Sequence, residues 1–111
     1  MLSKNKRLNT ELFKLVMEKG QVFHCPFFLL RVSLGDGPSG FSVSVPKKVA
    51  KTAVERNRLR RQVYSAIQKL DSKIDPDRLI VIILKQEAKK LKFGEFEKEL
   101  ESVFVKSGII E

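Results

Sequence analysis

The chain has 111 residues, of which 42% are hydrophobic, and this length and composition suit one domain with one core. Its 22 lysines and arginines exceed its 13 acidic residues, and the resulting net charge of +9 favours a phosphate-bearing partner such as nucleic acid. The longest apolar run, residues 79–84, is far shorter than the ~20 residues that span a bilayer, and the charged N-terminus lacks the apolar stretch of a secretory signal. We therefore expect a single domain over residues 1–111, in the cytoplasm, with nucleic acid as the leading partner class and no membrane partner.

The sequence does not indicate a metal site or a protein nucleophile. Cys25 is the only cysteine and His24 the only histidine, so neither an internal disulfide nor a zinc cluster is expected. Neighbouring residues on a strand point to opposite faces, so this pair predicts ordinary strand-edge positions rather than a Cys/His nucleophile. P-loop, GxSxG and HExxH patterns are also absent from the sequence. We expect no catalytic residues in the protein itself.

The first half of the chain predicts one helix and three strands. Apolar residues recur at helical spacing over residues 8–19, with Asn9 or Thr10 as the cap and Gly20 as the stop. Residues 21–24 and 27–33 are rich in aromatic and branched side chains and are separated at Pro26. Turn-forming residues 35–40 then precede an alternating strand over residues 41–45. This pattern predicts that strands 27–33 and 41–45 pair as a hairpin.

The second half predicts two helices around one strand. Thr52 and Glu55 fit a capping box, so a helix is expected over residues 53–70. After a turn at residues 75–77, the apolar strand 78–84 should have a neighbour on each side, and residues 93–105 form a closing amphipathic helix. The order α-β-β-β-α-β-α predicts an α+β two-layer sandwich with a sheet of about four strands. Helix 53–70 is then a crossover from strand 41–45 to strand 78–84.

Most of the net charge lies in residues 47–61, which carry +6 of the +9. The basic residues are Lys47, Lys48, Lys51, Arg56, Arg58, Arg60 and Arg61. At about 100° per residue, Arg58 and Arg61 point away from the apolar stripe of the helix. The residues that instead lie on or beside the stripe are Arg56, Asn57, Arg60 and Tyr64. A solvated charged face explains the first pair but not the second group, so this helix favours nucleic-acid binding.

RNA is the better fit of the two nucleic acids. The apolar second half of the helix predicts that it is half embedded, whereas a helix that reads a DNA major groove must project freely. Unpaired RNA bases can stack on aromatic side chains beside a basic edge. We therefore expect RNA partners and no DNA.

The run Arg-Asn-Arg-Leu-Arg-Arg at residues 56–61, preceded by Ser-Val-Pro-Lys-Lys at residues 44–48, resembles the signature of the bacterial ribonuclease P protein component. The resemblance extends to residues 13–20, 27–32, 40–44 and 91–93. It implies a protein cofactor for a catalytic RNA, with ribonuclease P RNA and precursor tRNA as partners. The assembly would remove the 5′ leader of precursor tRNA, with Mg²⁺ held mainly by the RNA subunit. It also implies a left-handed β-α-β crossover, as in the second domain of ribosomal protein S5.

The resemblance further implies two groups of RNA-binding residues. Those matching outward positions that bind the RNA subunit are Lys47, Lys48, Lys51, Arg58 and Arg61. Those matching a cleft between the first helix and the sheet, which holds the single-stranded leader, are Phe13, Met17, Phe28, Leu30, Arg56, Asn57, Arg60 and Tyr64. Plain core packing is the alternative for Phe13 and Phe28.

Four residues depart from the family pattern. Met17 stands where a helix aromatic is usual and Leu30 where a strand tyrosine is common. Tyr64 replaces an arginine or lysine, so we expect it to supply an aromatic side chain to the leader. Lys92 replaces the usual Ser or Thr cap of the last helix, which should weaken that helix start by ~1 kcal/mol.

Two other functions are compatible with a small basic α+β domain. The first is a ribosomal or RNA-chaperone protein with no role in cleavage. The second, weaker one is a protein nuclease, which the scarcity of histidine and of clustered carboxylates near the basic helix disfavours.

Overall fold

The helical and alternating patterns fold into helices and strands in the predicted order. The computed structural model describes residues 7–35, 39–74, 77–92 and 94–110. The elements are α1 (Thr10–Lys19), β1 (Gln21–His24), β2 (Phe28–Leu34), β3 (Gly40–Ser44), α2 (Ala53–Leu70), β4 (Arg78–Leu84) and α3 (Glu95–Lys106). Short 3-10 turns at Asp71–Lys73 and Gln86–Lys90 follow α2 and β4. The predicted α+β class and element order are confirmed.

Side-chain caps fix the first residues of α1 and α2. The Oδ1 atom of Asn9 accepts a hydrogen bond of 2.8 Å from the backbone N–H of Leu12, so α1 begins at Thr10. The Thr52 hydroxyl accepts one of 3.2 Å from the backbone N–H of Glu55, which confirms the predicted start of α2. The Glu55 carboxylate lies 3.5 Å from Lys89 Nζ, so this side chain ties the start of α2 to the segment after β4.

The start of α3 differs from the prediction. Gly94, not Lys92, is the N-cap residue of this helix. The carboxylate of Glu95 instead accepts a 2.7 Å hydrogen bond from the backbone N–H of Lys92. A side chain in the first turn therefore satisfies the preceding backbone, and the expected cost of a lysine cap does not arise. Phe93, the predicted first residue, lies outside the described residues.

The four strands form one mixed sheet in the order β1-β2-β4-β3. β1 and β2 are antiparallel neighbours, as are β2 and β4, whereas β3 and β4 are parallel. The predicted hairpin of strands 27–33 and 41–45 is therefore wrong. β4, the most apolar strand, lies between β2 and β3. In this inner position its backbone is paired on both edges and its apolar side chains are covered on both faces. The predicted neighbours of β4 on each side and the crossover through α2 are confirmed, and the left-handed sense of that crossover stays an expectation.

The two predicted turns lie partly outside the described residues. Residues 36–38 and 75–76 fall in the gaps. Asp77, at the end of the second turn, has a φ of 65°, in the left-handed region that aspartate tolerates better than most residues.

Alternation along β4 divides the interior into two parts. Ile80 and Ile82 pack in the large core that α2 and α3 cover. Leu79 and Val81 point to the other face, where they pack with Val16 of α1. The sheet and the α2–α3 layer thus form the sandwich, and α1 covers part of the opposite face.

α1 runs across the strands rather than along them. Just before the helix, the backbone N–H of Leu8 donates to the Phe41 carbonyl on β3, at 2.9 Å. Just after it, Gln21 of β1 pairs with Val32. Phe41 and Val32 both pair with Ile80, so the two ends of α1 meet the same row of the sheet. The rows toward the end of β4 extend beyond this helix.

Candidate nucleic-acid interface

Helix α2 is anchored by an apolar side, which lies mostly in its C-terminal half, and presents its basic residues at the surface of its N-terminal half. The buried residues of the helix are Leu59, Val63, Tyr64, Ala66, Ile67 and Leu70. This confirms the predicted apolar stripe and adds Tyr64 to it. The helix is therefore half embedded, which disfavours insertion into a DNA major groove.

A groove of about 500 Å³ lies beside this half of α2. It is lined by Arg7, Asn57, Arg60, Arg61 and Tyr64, and we call it the arginine groove. The four α2 residues are spaced at i, i+3, i+4 and i+7, so they share one face of the helix. The Arg60 guanidinium donates a hydrogen bond to the Asn57 side-chain oxygen, which orients both toward the groove.

Arg7 is the groove residue that the sequence reasoning missed. It forms an isolated parallel bridge with Phe41, at the outer edge of β3. Its guanidinium carbon lies 4.9 Å from the centroid of the Tyr64 ring, within the range of a cation–π contact. Arg7 belongs to a basic N-terminal run, but nothing in that run predicts a contact with residue 64.

Tyr64 occupies the groove mainly as a support. Only 8% of the residue is exposed, and its hydroxyl accepts a 3.2 Å hydrogen bond from the backbone N–H of Val43. Since Arg7 also lies over the ring, the structure does not support the expectation that Tyr64 offers an open aromatic surface to the leader.

Arg56 is directed at the protein rather than at the groove. Its Nη1 atom donates hydrogen bonds to the carbonyls of Ala50, at 2.9 Å, and Lys51, at 3.0 Å. These bonds hold the loop that leads into α2. The prediction that Arg56 borders the leader cleft is not supported, because the guanidinium is engaged by two loop carbonyls instead.

The remaining predicted basic residues are exposed. Arg58 and Arg61 are both on the surface, as expected, but Arg61 also lines the arginine groove, so the two do not form a separate outward pair. Lys47, Lys48 and Lys51 are exposed in the loop before α2. The Lys48 carbonyl accepts a hydrogen bond from the side chain of Gln86, at 3.3 Å, which links this loop to the end of β4.

A second groove, of about 520 Å³, lies at the end of the sheet that α1 leaves open. We call it the sheet cleft, and its lining residues are His24, Leu29, Pro46, Lys48, Ile83, Leu84, Lys85, Gln86 and Glu87. Pairing of Leu29 with both His24 and Ile83 places these three side chains in one row of the sheet. Phe13 and Met17 of α1 are half-buried against the same apolar cluster as Ile83, but neither is among the residues that line the cleft, so their contact with the leader stays a prediction.

Phe28 and Leu30 do not belong to this cleft, and the prediction for both is wrong. Each is 0% exposed and packs in the core under α2 and α3. The error is one of strand alternation: Leu29 and Arg31, the residues beside them, face α1. Arg31 donates a 3.1 Å hydrogen bond from Nη1 to the Met17 carbonyl, near the end of α1. The core-packing alternative was therefore correct for Phe28.

The described residues do not form a protein metal site. No three of their His, Cys, Asp or Glu side chains come together as a shared ion would require. These residues alone therefore do not provide a binding site for the Mg²⁺ that the family resemblance implies.

In the same part of the chain, no helix is long and apolar enough to span a bilayer.

Comparison with known proteins identifies the family. The family model described as ribonuclease P matches residues 2–108. The chain belongs to the ribonuclease P protein family. Curated relatives agree: the ribonuclease P protein component of Microcystis aeruginosa is 36% identical over 104 residues, covering 88% of this chain and 86% of the relative. That of Bacillus mycoides is 31% identical over 111 residues, covering 98% and 96%.

Solved structures of ribonuclease P proteins have the same fold. The Staphylococcus aureus protein superposes with a TM-score of 0.85 at 22% identity, covering 96% of this chain and 98% of that one. The Thermotoga maritima protein superposes with a TM-score of 0.76 at 21% identity, covering 87% and 93%.

Membership of the ribonuclease P protein family decides between the predicted functions. It assigns the chain the role of protein subunit of an endoribonuclease, with ribonuclease P RNA as its partner. The ribosomal or chaperone alternative is not supported. What each groove residue does toward RNA depends on the chemistry of its side chain.

Proposed function

We propose that the protein holds two RNA segments side by side, the ribonuclease P RNA on the basic surface of α2 and the 5′ leader of precursor tRNA in the sheet cleft. The main support is the arginine groove, where Arg7, Arg60 and Arg61 converge and no acidic residue is among the described lining residues. Guanidinium groups offer planar forks of N–H donors that match phosphate oxygens. Mutual repulsion of three such groups is relieved when an RNA phosphate enters.

The exposed basic residues outside the groove supply the surface for the RNA subunit. Arg58 is exposed on α2, and Lys47 and Lys51 are exposed in the loop before it. Long charged side chains at such positions can follow the backbone of a folded RNA. Arg61 joins them from the rim of the groove, and Lys48 lies where this surface meets the sheet cleft.

The sheet cleft suits an unpaired strand. Leu29 and Ile83 give it an apolar floor, and Phe13 and Met17 of α1 pack against the same apolar cluster as Ile83. Bases can pack on such a floor while Lys48 and Lys85 meet the phosphates. In this arrangement, the strand leaves the cleft toward the RNA subunit by way of Asn57 and Arg60 in the arginine groove.

The chemistry of leader removal belongs to the RNA in this proposal. Hydrolysis by a metal-bound water needs no protein nucleophile when RNA phosphates position the metal ions. The protein contributes by neutralising phosphates, which raises substrate affinity and lowers the Mg²⁺ concentration that the RNA requires.

A reconstituted cleavage assay tests the proposal. The protein is added to a bacterial ribonuclease P RNA and a precursor tRNA at a Mg²⁺ concentration too low for the RNA alone. We expect release of the 5′ leader to be restored. The isolated protein should release none, and leader release by the protein alone would instead favour a protein nuclease.

Charge-matched variants refine the test. Arg58→Ala with Arg61→Ala should weaken binding to the RNA subunit and flatten the slope of log affinity against log salt by about 0.7 to 0.9 for each phosphate that the variant no longer neutralises. The control is Lys98→Ala with Lys106→Ala, which removes the same charge from exposed positions on α3. Equal slopes for the two double variants would contradict the assignment of the α2 surface.

A further inference from the structure

The outer edge of β3 is covered by two elements that are far apart in the sequence. Within the described residues, β3 has a strand neighbour only on its β4 side. On the other side, the Phe41 carbonyl accepts from the Leu8 N–H at 2.9 Å, and the Val43 N–H donates to the Tyr64 hydroxyl at 3.2 Å. The N-terminal segment and α2 therefore meet along this edge.

The N-terminal segment lies close against the strand at this point. A Cβ atom added to Gly40 would come within 2.5 Å of Leu8 Cδ2. A glycine at residue 40 thus allows Leu8 to approach the strand. With Leu8 fixed in this way, the preceding residue, Arg7, is directed along the edge toward Tyr64.

The contact with Tyr64 places the Arg7 guanidinium in the arginine groove. The guanidinium carbon is 4.9 Å from the ring centroid, and Arg7 lines the groove together with Arg60 and Arg61. A guanidinium that lies over an aromatic ring keeps its N–H donors at its rim, where they can bind an anion. The ring itself is held by the hydroxyl bond to Val43, so its position does not depend on RNA.

We propose that Arg7, positioned by the ring of Tyr64, is the third phosphate-binding arginine of the groove. Arg7 contacts the RNA directly, and Tyr64 is a positioning residue. The ligand is a backbone phosphate of RNA, supplied either by the ribonuclease P RNA or by the precursor tRNA leader. This inference rests on the proposed function, since it assumes that RNA enters the arginine groove.

The test measures RNA affinity at 50 and 200 mM salt for Arg7→Gln, made in the wild-type protein and again together with a change at Tyr64. In the wild-type protein, Arg7→Gln should reduce the salt dependence by one phosphate, which is about threefold in the ratio of the two affinities. When Tyr64→Leu has removed the ring, adding Arg7→Gln should have little further effect. Tyr64→Phe keeps the ring, so the effect of Arg7→Gln should persist there. The Phe and Leu variants both leave the Val43 N–H unpaired, so the comparison separates positioning from stability.

Two binding arms identify the source of the phosphate. One measures the ribonuclease P RNA alone, and the other measures precursor tRNA, with and without its leader, on the assembled holoenzyme. A changed salt dependence in the first arm assigns the phosphate to the RNA subunit, and a leader-dependent change in the second assigns it to the leader. Lys106→Gln, on exposed α3, is the charge-matched control and should change neither.

The inference and the proposed function fail in different ways. If the wild-type protein restores leader release at low Mg²⁺ but Arg7→Gln leaves the salt dependence of both arms unchanged, the inference is overturned and the function stands. The same holds if Arg7→Gln acts equally in the Tyr64→Leu and Tyr64→Phe backgrounds, because the ring would then not position Arg7. If the wild-type protein fails to restore leader release, the proposed function itself is wrong.

Discussion

Replacing Arg56 separates the folding role of a basic residue from RNA binding. Its Nη1 atom donates to the Ala50 carbonyl, a partly buried bond of 2.9 Å, and to the Lys51 carbonyl, an exposed bond of 3.0 Å. A hydrogen bond from a charged donor contributes about 1.5 to 3 kcal/mol when it is protected, and much less when water competes for it. Counting mainly the partly buried bond, we expect Arg56→Ala to lower the free energy of unfolding by about 1 to 2 kcal/mol.

Urea unfolding measures this cost. The midpoint should fall with an unchanged m value, because the loop opens without a change in the surface exposed on global unfolding. The corresponding fall in melting temperature is about 4 to 8 °C for each kcal/mol in a domain near this size. RNA-subunit binding, measured where the variant is fully folded, should keep the wild-type salt slope. A variant with wild-type stability and a flattened slope would refute the reasoning, since Arg56 would then contact phosphate rather than the loop carbonyls.

Four further sites test the structure at other points. Tyr64→Phe should lower the free energy of unfolding, measured in urea, by about 1 kcal/mol, because the buried Val43 N–H loses its rather long hydrogen bond. Wild-type stability would show that the bond is not formed. Thr52→Ala removes the α2 cap and should also cost about 1 kcal/mol, with RNA binding retained where the protein is folded. Phe28→Ala should cost about 3 to 5 kcal/mol, as for a fully buried core aromatic. By comparison, Phe13→Ala should cost less and should weaken binding of leader-bearing precursor tRNA more than binding of leaderless tRNA; equal losses for the two RNAs would remove Phe13 from the leader cleft.

Local sequence signals predicted the elements of this protein well. The apolar periods and the Thr52 cap placed α2 at its observed bounds, and the continuous apolar run did the same for β4. These signals act over a few residues, through backbone hydrogen bonds and the direction in which successive side chains point. Strand pairing does not follow from them. The position of β4 between β2 and β3 depends on which edges remain to be satisfied across the whole sheet, so the short connection from β2 to β3 was misread as a hairpin.

The sequence predicts that the candidate site is basic, but it does not predict which atoms each basic side chain contacts. The basic run predicts that α2 is the helix that faces RNA, whereas the contacts that each guanidinium makes depend on the tertiary structure. Arg56 holds the loop before α2, and Arg7 lines the arginine groove. The sequence instead predicts that Arg56 contacts RNA, and it does not single out Arg7. The β2 residues predicted to line the cleft are one position away from those that face α1. In a strand, a shift of one residue moves a side chain to the opposite face of the sheet, which here is the core. Leu29 and Arg31, rather than Phe28 and Leu30, face α1.

Protection of the β3 edge explains why the arginine groove exists. An edge strand with free N–H and C=O groups invites pairing with another chain, and here Leu8 and Tyr64 each satisfy one such group. A complete fifth strand would have satisfied the same groups but would have filled the space beside α2. Among the described residues, the edge is instead covered by the backbone of Arg7 and Leu8 and by the Tyr64 hydroxyl, and a groove of about 500 Å³ lies between the N-terminal segment and the helix. The residues that protect the fold at this edge are therefore the ones that bring Arg7 to Arg60 and Arg61.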